Sequence, residues 1–498
     1  MNIRVNAGES LRNALTQAVP GDVIQLEAGA TFEVGQIDVP VKPDGLPIRI
    51  TSTAPLPERR ITALDAALLP SIAAGIGVSS LQFLAGTRNW ILDGLRFLPN
   101  TQGQNTVLMV EGGDNLAFSR LYFDGDPVWG QRRFLLGNGT RISLTRSHIV
   151  GCFDFNNGDS QTFCAYNGAG PFIIRDNTLE AASENIMFGG ADSSKPENIP
   201  SNILVEDNYC YKRLAWKGTP RGVKNLFELK QAKGAVIRNN VFERTWTDAQ
   251  SGWAIVFTPR NDDGNAPWAC VEDVLFERNT IKGAERGLNA LGYDSYHSSG
   301  RLTRVVVRHN VWETADKFFQ AGGEVGELAL EDNTVVNGER WGLLYQGAIW
   351  PTVETLSSPR PTRYAVEHLR LERNTGIRRY YDYLGSAGEI WGEENGWAPG
   401  AFSAATPQHA SGHAPGAVYV GNVFSDATAP PPPPPPPDPC AANPLTILGV
   451  TWPGGYGIGS RVLGFRTNKP WVKAVVEKPG VLTVTAEDGC TATLTKPK

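Results

Sequence analysis

Short runs of alternating apolar and polar residues, each broken by a polar pair ending in asparagine, recur along most of this chain. The pattern is Ile173-Ile174-Arg175-Asp176-Asn177-Thr178-Leu179, then Leu204-Val205-Glu206-Asp207-Asn208-Tyr209, Val236-Ile237-Arg238-Asn239-Asn240-Val241-Phe242 and Leu275-Phe276-Glu277-Arg278-Asn279-Thr280-Ile281. Further copies end at Asn310, Asn333, Asn374 and Asn422, and from Asn177 to Asn333 the spacings are 31, 32, 39, 31 and 23 residues. Weaker copies sit at Leu92-Asp93-Gly94-Leu95 and Leu144-Thr145-Arg146-Ser147. Period-two alternation predicts strands, so each copy reads as two short strands joined by a bend. Asparagine suits that bend because it tolerates left-handed backbone and hydrogen-bonds locally. Repeats at such intervals build solenoids. Coils stacked at the strand spacing of about 4.8 Å would line the asparagines up as an amide ladder inside the cylinder. Helical repeats need a 3.6-residue period over longer elements, and a propeller needs four strands per blade. The expected fold is all-β, a right-handed parallel β-helix over residues 1–426.

Both ends of the stack carry their own signals. Gly8 to Ala18 reads as a short amphipathic helix with Ser10 as N-cap, placed to cover the open end of the strands. Eight prolines, Pro430–Pro437, form a polyproline rod within a linker at 427–439. Beyond it, residues 440–498 alternate like short antiparallel strands and predict a small immunoglobulin-like, sandwich-like β module. Cys440 and Cys490 stand near its two ends, as in a disulfide-stapled domain, and Cys152 and Cys164 are close enough to close a loop. Cys210 and Cys270 read as buried thiols. Met1-Asn2 runs directly into Ile3-Arg4-Val5, which with the cysteines gives a mature secreted or periplasmic chain whose leader has been removed as the expectation.

Charge and composition narrow the partners. A net charge of −5 argues against a nucleic-acid surface, and no apolar run reaches membrane-span length. No Cys/His cluster has zinc spacing. A monomer without nucleic-acid or membrane partners is expected.

Four segments read as one strand repeated in successive coils: Asn185–Asp192, Asn225–Lys230, Ala254–Arg260 and Gly287–Asp294. If Phe227 and Phe257 point inward, alternation sends Glu228 and Lys230 outward and sets Lys230 beside Arg260 on the next rung. Glu184, Asp192, Asn225, Asn261 and Asp294 complete the polar candidates for substrate binding. Trp216, Trp246, Trp253, Trp268 and Tyr293 cluster in the adjoining turns, where rings could stack on sugars or pack the turns. A solvated ion-pair stripe is the competing reading of Glu228, Lys230 and Arg260. The six histidines are scattered, and none forms a triad with Ser and Asp.

The capping helix, the asparagine-bearing coils and the stack together resemble the pectate-lyase-like β-helix superfamily. The stretch Phe227-Glu228-Leu229-Lys230, followed by Val236–Phe242 and then Arg260, resembles polysaccharide lyase family 6, which includes alginate lyases and chondroitinase B. That resemblance implies a polysaccharide substrate, Lys230 as catalytic base and Arg260 as acid; Glu228, which precedes Lys230 in the pattern of outward residues, is read as orienting the base. Asn225 stands where a calcium-binding carboxylate of the family is expected, so the resemblance does not extend to calcium and no cofactor is expected. The residues themselves agree with β-elimination on an acidic, uronate-containing polysaccharide. Such a reaction needs a base for the C5 proton, cations near the carboxylate and a donor to the leaving oxygen. A lysine beside an arginine is pushed toward its neutral form, with Glu228 opposing. The alternatives are a β-helix glycoside hydrolase using paired carboxylates and a non-catalytic glycan-binding adhesin.

Overall fold

The computed structural model describes residues 1–99, 103–154, 158–337, 340–345, 347–354, 356–378, 414 and 416–426, together with five strands beyond the proline run. Parallel strands coil around a single apolar core, as the repeat predicts. Each coil contributes up to three strands. The first face holds Gln161–Ala165, Glu184–Phe188, Phe227–Leu229, Trp253–Phe257, Arg286–Leu291 and Lys317–Gly322. The second runs from Phe172–Arg175 through Ser201–Glu206, Ala232–Arg238, Val271–Glu277 and Leu302–Arg308 to Val325–Glu331. Long strands at Gly103–Ser119 and Gln131–Thr145 pass through both faces and join them into one 23-stranded sheet. A 13-stranded parallel sheet forms the third face.

The corner between the second and third faces is where the asparagines stand. Asn177, Asn208, Asn240, Asn279, Asn310, Asn333, Asn374 and Asn422 form one column, each Nδ2 donating to the next Oδ1 at 2.9–3.1 Å. The expected ladder is present, but the left-handed residue is the one before each asparagine. Asp176, Asp207, Asn239, Arg278, His309, Asp332 and Arg373 have φ of 51–59°. Left-handed backbone costs these residues about 1–2 kcal/mol each. The turn turns the asparagine inward, where its Oδ1 accepts the backbone N–H of the preceding coil's asparagine at 2.8–3.1 Å. The ladder thus satisfies groups that no strand partner reaches. It continues into the weaker copies: Ser147 Oγ accepts from Leu121 N, and Arg146 and Gly94 hold the same left-handed position.

Outside the second face, Arg175, Glu206, Arg238, Glu277, Arg308 and Glu331 are in register and alternate in sign. Arg238 and Arg308 pair with Glu206 and Glu277 at 2.7 and 2.8 Å. Unlike charges directly opposite one another stabilise this register.

The helix spans Leu11–Gln17, with Ser10 Oγ accepting from Asn13 N, and buries Leu11, Ala14 and Leu15 over the first coil. Cys152 and Cys164 are buried free thiols, a correction to the expected disulfide: Cys152 points into the core from the third face, whereas Cys164 lies on the outer side of a first-face strand, packed on Leu136 and Met187. Burial pushes the Cys164 thiol up to about 11. Cys210 and Cys270 are likewise free and buried. Cys440 and Cys490 lie outside the described residues, as does the proline run. In the last segment, Trp471–Lys478, Val481–Ala486 and Thr491–Thr495 form a three-stranded antiparallel sheet, matching the alternation there.

Candidate active site

The four segments read from the sequence are neighbouring strands of the first face. Ile186, Phe227, Ile255 and Leu288 stack in register inside the core, as do Phe188, Leu229, Phe257 and Ala290. Alternation sends Met187, Glu228, Val256 and Asn289 to the outside, one above the other. These outward residues form the floor of a cleft. Met187 and Val256 are 5% exposed and Glu228 is 2% exposed, because long turns rise along both edges of the sheet. One wall, before the strands, comes from 212–226 and 246–252. The other, after the strands, comes from 189–200, 258–270 and 292–301.

Lys230 and Arg260 occupy adjacent coils, with Arg260 N donating to Lys230 O at 3.0 Å. Their side chains are 18% and 24% exposed, so both cationic tips reach the cleft. Lys230 Nζ lies 3.5 Å from Glu228 Oε1. Glu228 Oε2 is buried without a hydrogen-bond partner. The Glu228 charge holds the Lys230 ammonium above its ordinary range, outweighing burial and the repulsion of Arg260. This reverses the shift expected from Arg260 alone. Burial in turn raises Glu228, against the pull of Lys230 and Lys224. Arg260 Nη1 is held at 2.9 Å by Asp294 Oδ1, and its guanidinium lies 4.9 Å from the centroid of the Tyr296 ring.

The remaining polar candidates support this pair from below and behind. Glu184, 1% exposed, accepts from Gln161 Nε2 at 2.8 Å and lies 3.4 Å from Lys224 Nζ. Gln161 in turn links to Arg133 and Asp159. Burial raises Asp159, but Arg132 and Arg133 outweigh it and hold its carboxyl at about 2. Asp294 is fully buried and also accepts the N–H groups of Asn261 and Tyr296. Asn261 is spent on Ser298 O and Ala266 N, and Asn225 Nδ2 on Gln250. Asp192 caps the turn at Asp262, Asp263 and Asn265 by accepting their N–H groups.

The turn aromatics are largely packed. Trp216 and Trp246 are 3% and 7% exposed and join Phe153, Ala182 and Val223 in a satellite core. Trp253 and Tyr293 are 5% and 7% exposed, under Arg286 and Arg301 respectively. Trp268 donates to Ser193 Oγ. Two features were not singled out from the sequence. Tyr296 is 67% exposed beside Arg260. Lys212 is fully buried, with Nζ 2.6–2.9 Å from Ala181 O, Ser183 O, Asn185 Oδ1 and Asn225 O. Burial pushes Lys212 down to about 7, yet those four acceptors solvate its ammonium. It ties the base of the first wall to the strand corner.

Among the described residues no group of three or more His, Cys, Asp or Glu side chains is placed to hold a metal ion. Glu184 and Glu228, the buried carboxylates of the cleft, face lysine ammoniums instead. A groove of about 460 Å³ on the second face is lined by Arg304, Glu327, His368 and Arg370 among others. Its arginines are committed to Glu272, Asp273, Glu331 and Glu372.

No family model matches the sequence, and no curated protein matches it either. Solved structures with a similar backbone do exist. One is a family PL6 alginate lyase in complex with a trisaccharide, 13% identical over 86% of this chain and 85% of its own, with a TM-score of 0.49. Another is an alginate lyase from Paenibacillus sp. str. FPU-7, 15% identical over 68% of this chain and 97% of its own, TM-score 0.41. A third is the catalytic domain of a GH87 α-1,3-glucanase in complex with tetrasaccharides, 12% identical, TM-score 0.48. The match covers 75% of this chain and 64% of the glucanase chain.

Proposed function

We propose that this chain is a secreted polysaccharide lyase that cleaves an acidic, uronate-containing glycan by β-elimination in the cleft of the first face. The observation that carries this reading is the contrast in exposure. Lys230 and Arg260 present their tips side by side in the cleft, while Glu184, Glu228 and Asp294 are buried beneath them and bound to cations. A retaining or inverting hydrolase needs two carboxyl groups that reach the bond from either side. An elimination needs a base and a cation on the same carboxylate-bearing sugar, which this site offers.

In the proposed step Lys230 Nζ, in its neutral form, takes the C5 proton. The C5–H electron pair becomes the C4–C5 double bond, the C4–O bond breaks, and Arg260 donates the proton to the departing oxygen. Lys230 reaches the neutral form by losing its proton to solvent on the alkaline side of its ordinary range, because the Glu228 charge 3.5 Å away raises it. Asp294 keeps the guanidinium aimed.

The test is a panel of uronate-containing and neutral polysaccharides, followed both by absorbance of unsaturated uronate and by reducing ends. Absorbance rising with reducing ends is the expected result. Reducing ends without absorbance would replace the lyase with a hydrolase, and neither signal would leave a glycan-binding protein.

A further inference from the structure

Two of the aromatic rings along the turns of the first face are exposed. Trp129 is 58% exposed and Tyr296 is 67% exposed. Holding a large ring in water forgoes the burial that its neighbours Trp216, Trp246, Trp253 and Tyr293 obtain. Both rings are nevertheless fixed by the same local device. Asp126 Oδ1 accepts the N–H groups of Val128 and Trp129 at 2.7 and 2.9 Å, and Gly130 N closes the turn on Asp126 O. Asp294 Oδ1 accepts Tyr296 N at 2.9 Å. These aspartate-anchored turns hold the backbone of each aromatic in place.

Their positions bracket the site. Trp129 immediately precedes the Gln131–Thr145 strand, at the edge of the sheet where the first wall stands, and Arg221 of that wall donates to Pro127 O. Three rungs separate that strand from Phe227–Leu229: Gln131–Thr145 pairs with Gln161–Ala165, then Glu184–Phe188, then Phe227–Leu229. Tyr296 follows the Arg286–Leu291 strand, two rungs beyond Phe227–Leu229, at the opposite edge. At about 4.8 Å per rung, Trp129 lies roughly 14 Å to one side of Lys230 along the axis and Tyr296 roughly 10 Å to the other.

We infer that Trp129 and Tyr296 are sugar-stacking platforms at the two ends of an extended glycan path, which crosses the cleft diagonally with Lys230 in its interior. The ring of Tyr296 has one face against Arg260 and offers the other to a pyranose. A path of about 24 Å along the axis admits an oligosaccharide with sugars on both sides of the reacting bond. Cleavage is therefore internal, and the first products are oligosaccharides. This inference rests on the proposed glycan cleft, but the path itself does not depend on the reaction being an elimination.

Affinity electrophoresis separates the two. Wild type, Trp129→Ala, Tyr296→Ala and the double variant are run in native gels cast with alginate, polygalacturonate or a neutral glucan. Wild type should be retarded in at least one uronate gel. Each single change should weaken the apparent affinity about three- to tenfold, as expected for one lost ring contact, and Trp129→Phe should restore most of it. Viscosity of the retarding polymer should fall ahead of reducing-end release. Wild type retarded by no polymer, single variants retarded like wild type, or monosaccharide and disaccharide as the first products would overturn the path. Ring-dependent retardation in the neutral glucan alone would keep the path and remove the lyase.

Discussion

The asparagine ladder gives the most quantitative prediction about the fold, and Asn240 is its best probe because it lies mid-column. Its Nδ2 donates to Val205 O, Arg238 O and Asn279 Oδ1, each at 2.9 Å, and its Oδ1 accepts from Asn208 N and Asn208 Nδ2 at 3.0 Å. Asn240→Ala strands the buried Asn208 N–H, at about 1–3 kcal/mol, and deletes the four other hydrogen bonds of this side chain, each worth about 0.5–1.5 kcal/mol net at most. Arg238 O keeps the N–H of Asp207 and Asn208 Nδ2 keeps Ile174 O and Glu206 O, which limits the sum. The expected loss is about 2–5 kcal/mol. The chain supplies its own control at Ser147, whose hydroxyl accepts Leu121 N and donates to Thr145 O. Asn240→Ser should therefore keep the acceptor for Asn208 N and cost about 1–2 kcal/mol. Urea unfolding of the three proteins measures the totals. Hydrogen exchange at the Asn208 amide measures the local effect, which matters in a solenoid whose coils can open separately. An alanine variant within about 0.5 kcal/mol of wild type, or an Asn208 amide that exchanges no faster, would refute the claim that the ladder satisfies the corner.

Three further changes separate support from chemistry. Trp246→Ala should cost about 3–5 kcal/mol of stability while leaving glycan affinity in the folded protein unchanged, because the ring fills a satellite core; a selective loss of affinity would mean it stacks on substrate. Lys212→Met should destabilise by roughly 3–5 kcal/mol, since four oxygens lose their donor. With a folded value near 7 against an ordinary 10.5, the unfolded chain binds that proton more tightly, so wild-type stability should rise with pH across this window and the methionine variant should lack the rise in pH-dependent melting curves. Glu228→Gln removes the charge that raises Lys230, so the acidic limb of the kcat/KM profile should move to lower pH, and an unmoved limb would separate Glu228 from the base.

Those residues also mark what a sequence can and cannot convey. Strand alternation and the asparagine interval are properties of local backbone, so the stack, the column and the adjacency of Lys230 and Arg260 were legible. The left-handed residue before each asparagine was misassigned because aspartate, asparagine and arginine occupy it indifferently; what is constant is the inward amide that follows. Cys152 and Cys164 are near in sequence but occupy different strands, and their burial, invisible to spacing, leaves them as thiols. The turn tryptophans could equally cover a core or a sugar, and only the path of the turns decides; Trp216 and Trp246 cover Phe153 and Val223. Tyr296 carried a usable signal, an aromatic two residues after an aspartate at the end of a site strand. Lys212 did not, because its four acceptors come from two separate stretches of chain, 181–185 and 225. The sign of the Lys230 shift depends on Glu228 being buried, which alternation alone does not state.

The central claim is that Lys230 takes a proton, and the direct measurement is turnover of the uronate polymer by Lys230→Ala and Lys230→Arg, with melting curves to show that both are folded. Loss of a general base predicts a fall of about 10²–10⁴ in kcat with polymer affinity retained. Arginine should not rescue it, since a guanidinium stays protonated at working pH. A well-folded Lys230→Ala protein that still forms unsaturated uronate at the wild-type rate would contradict the account.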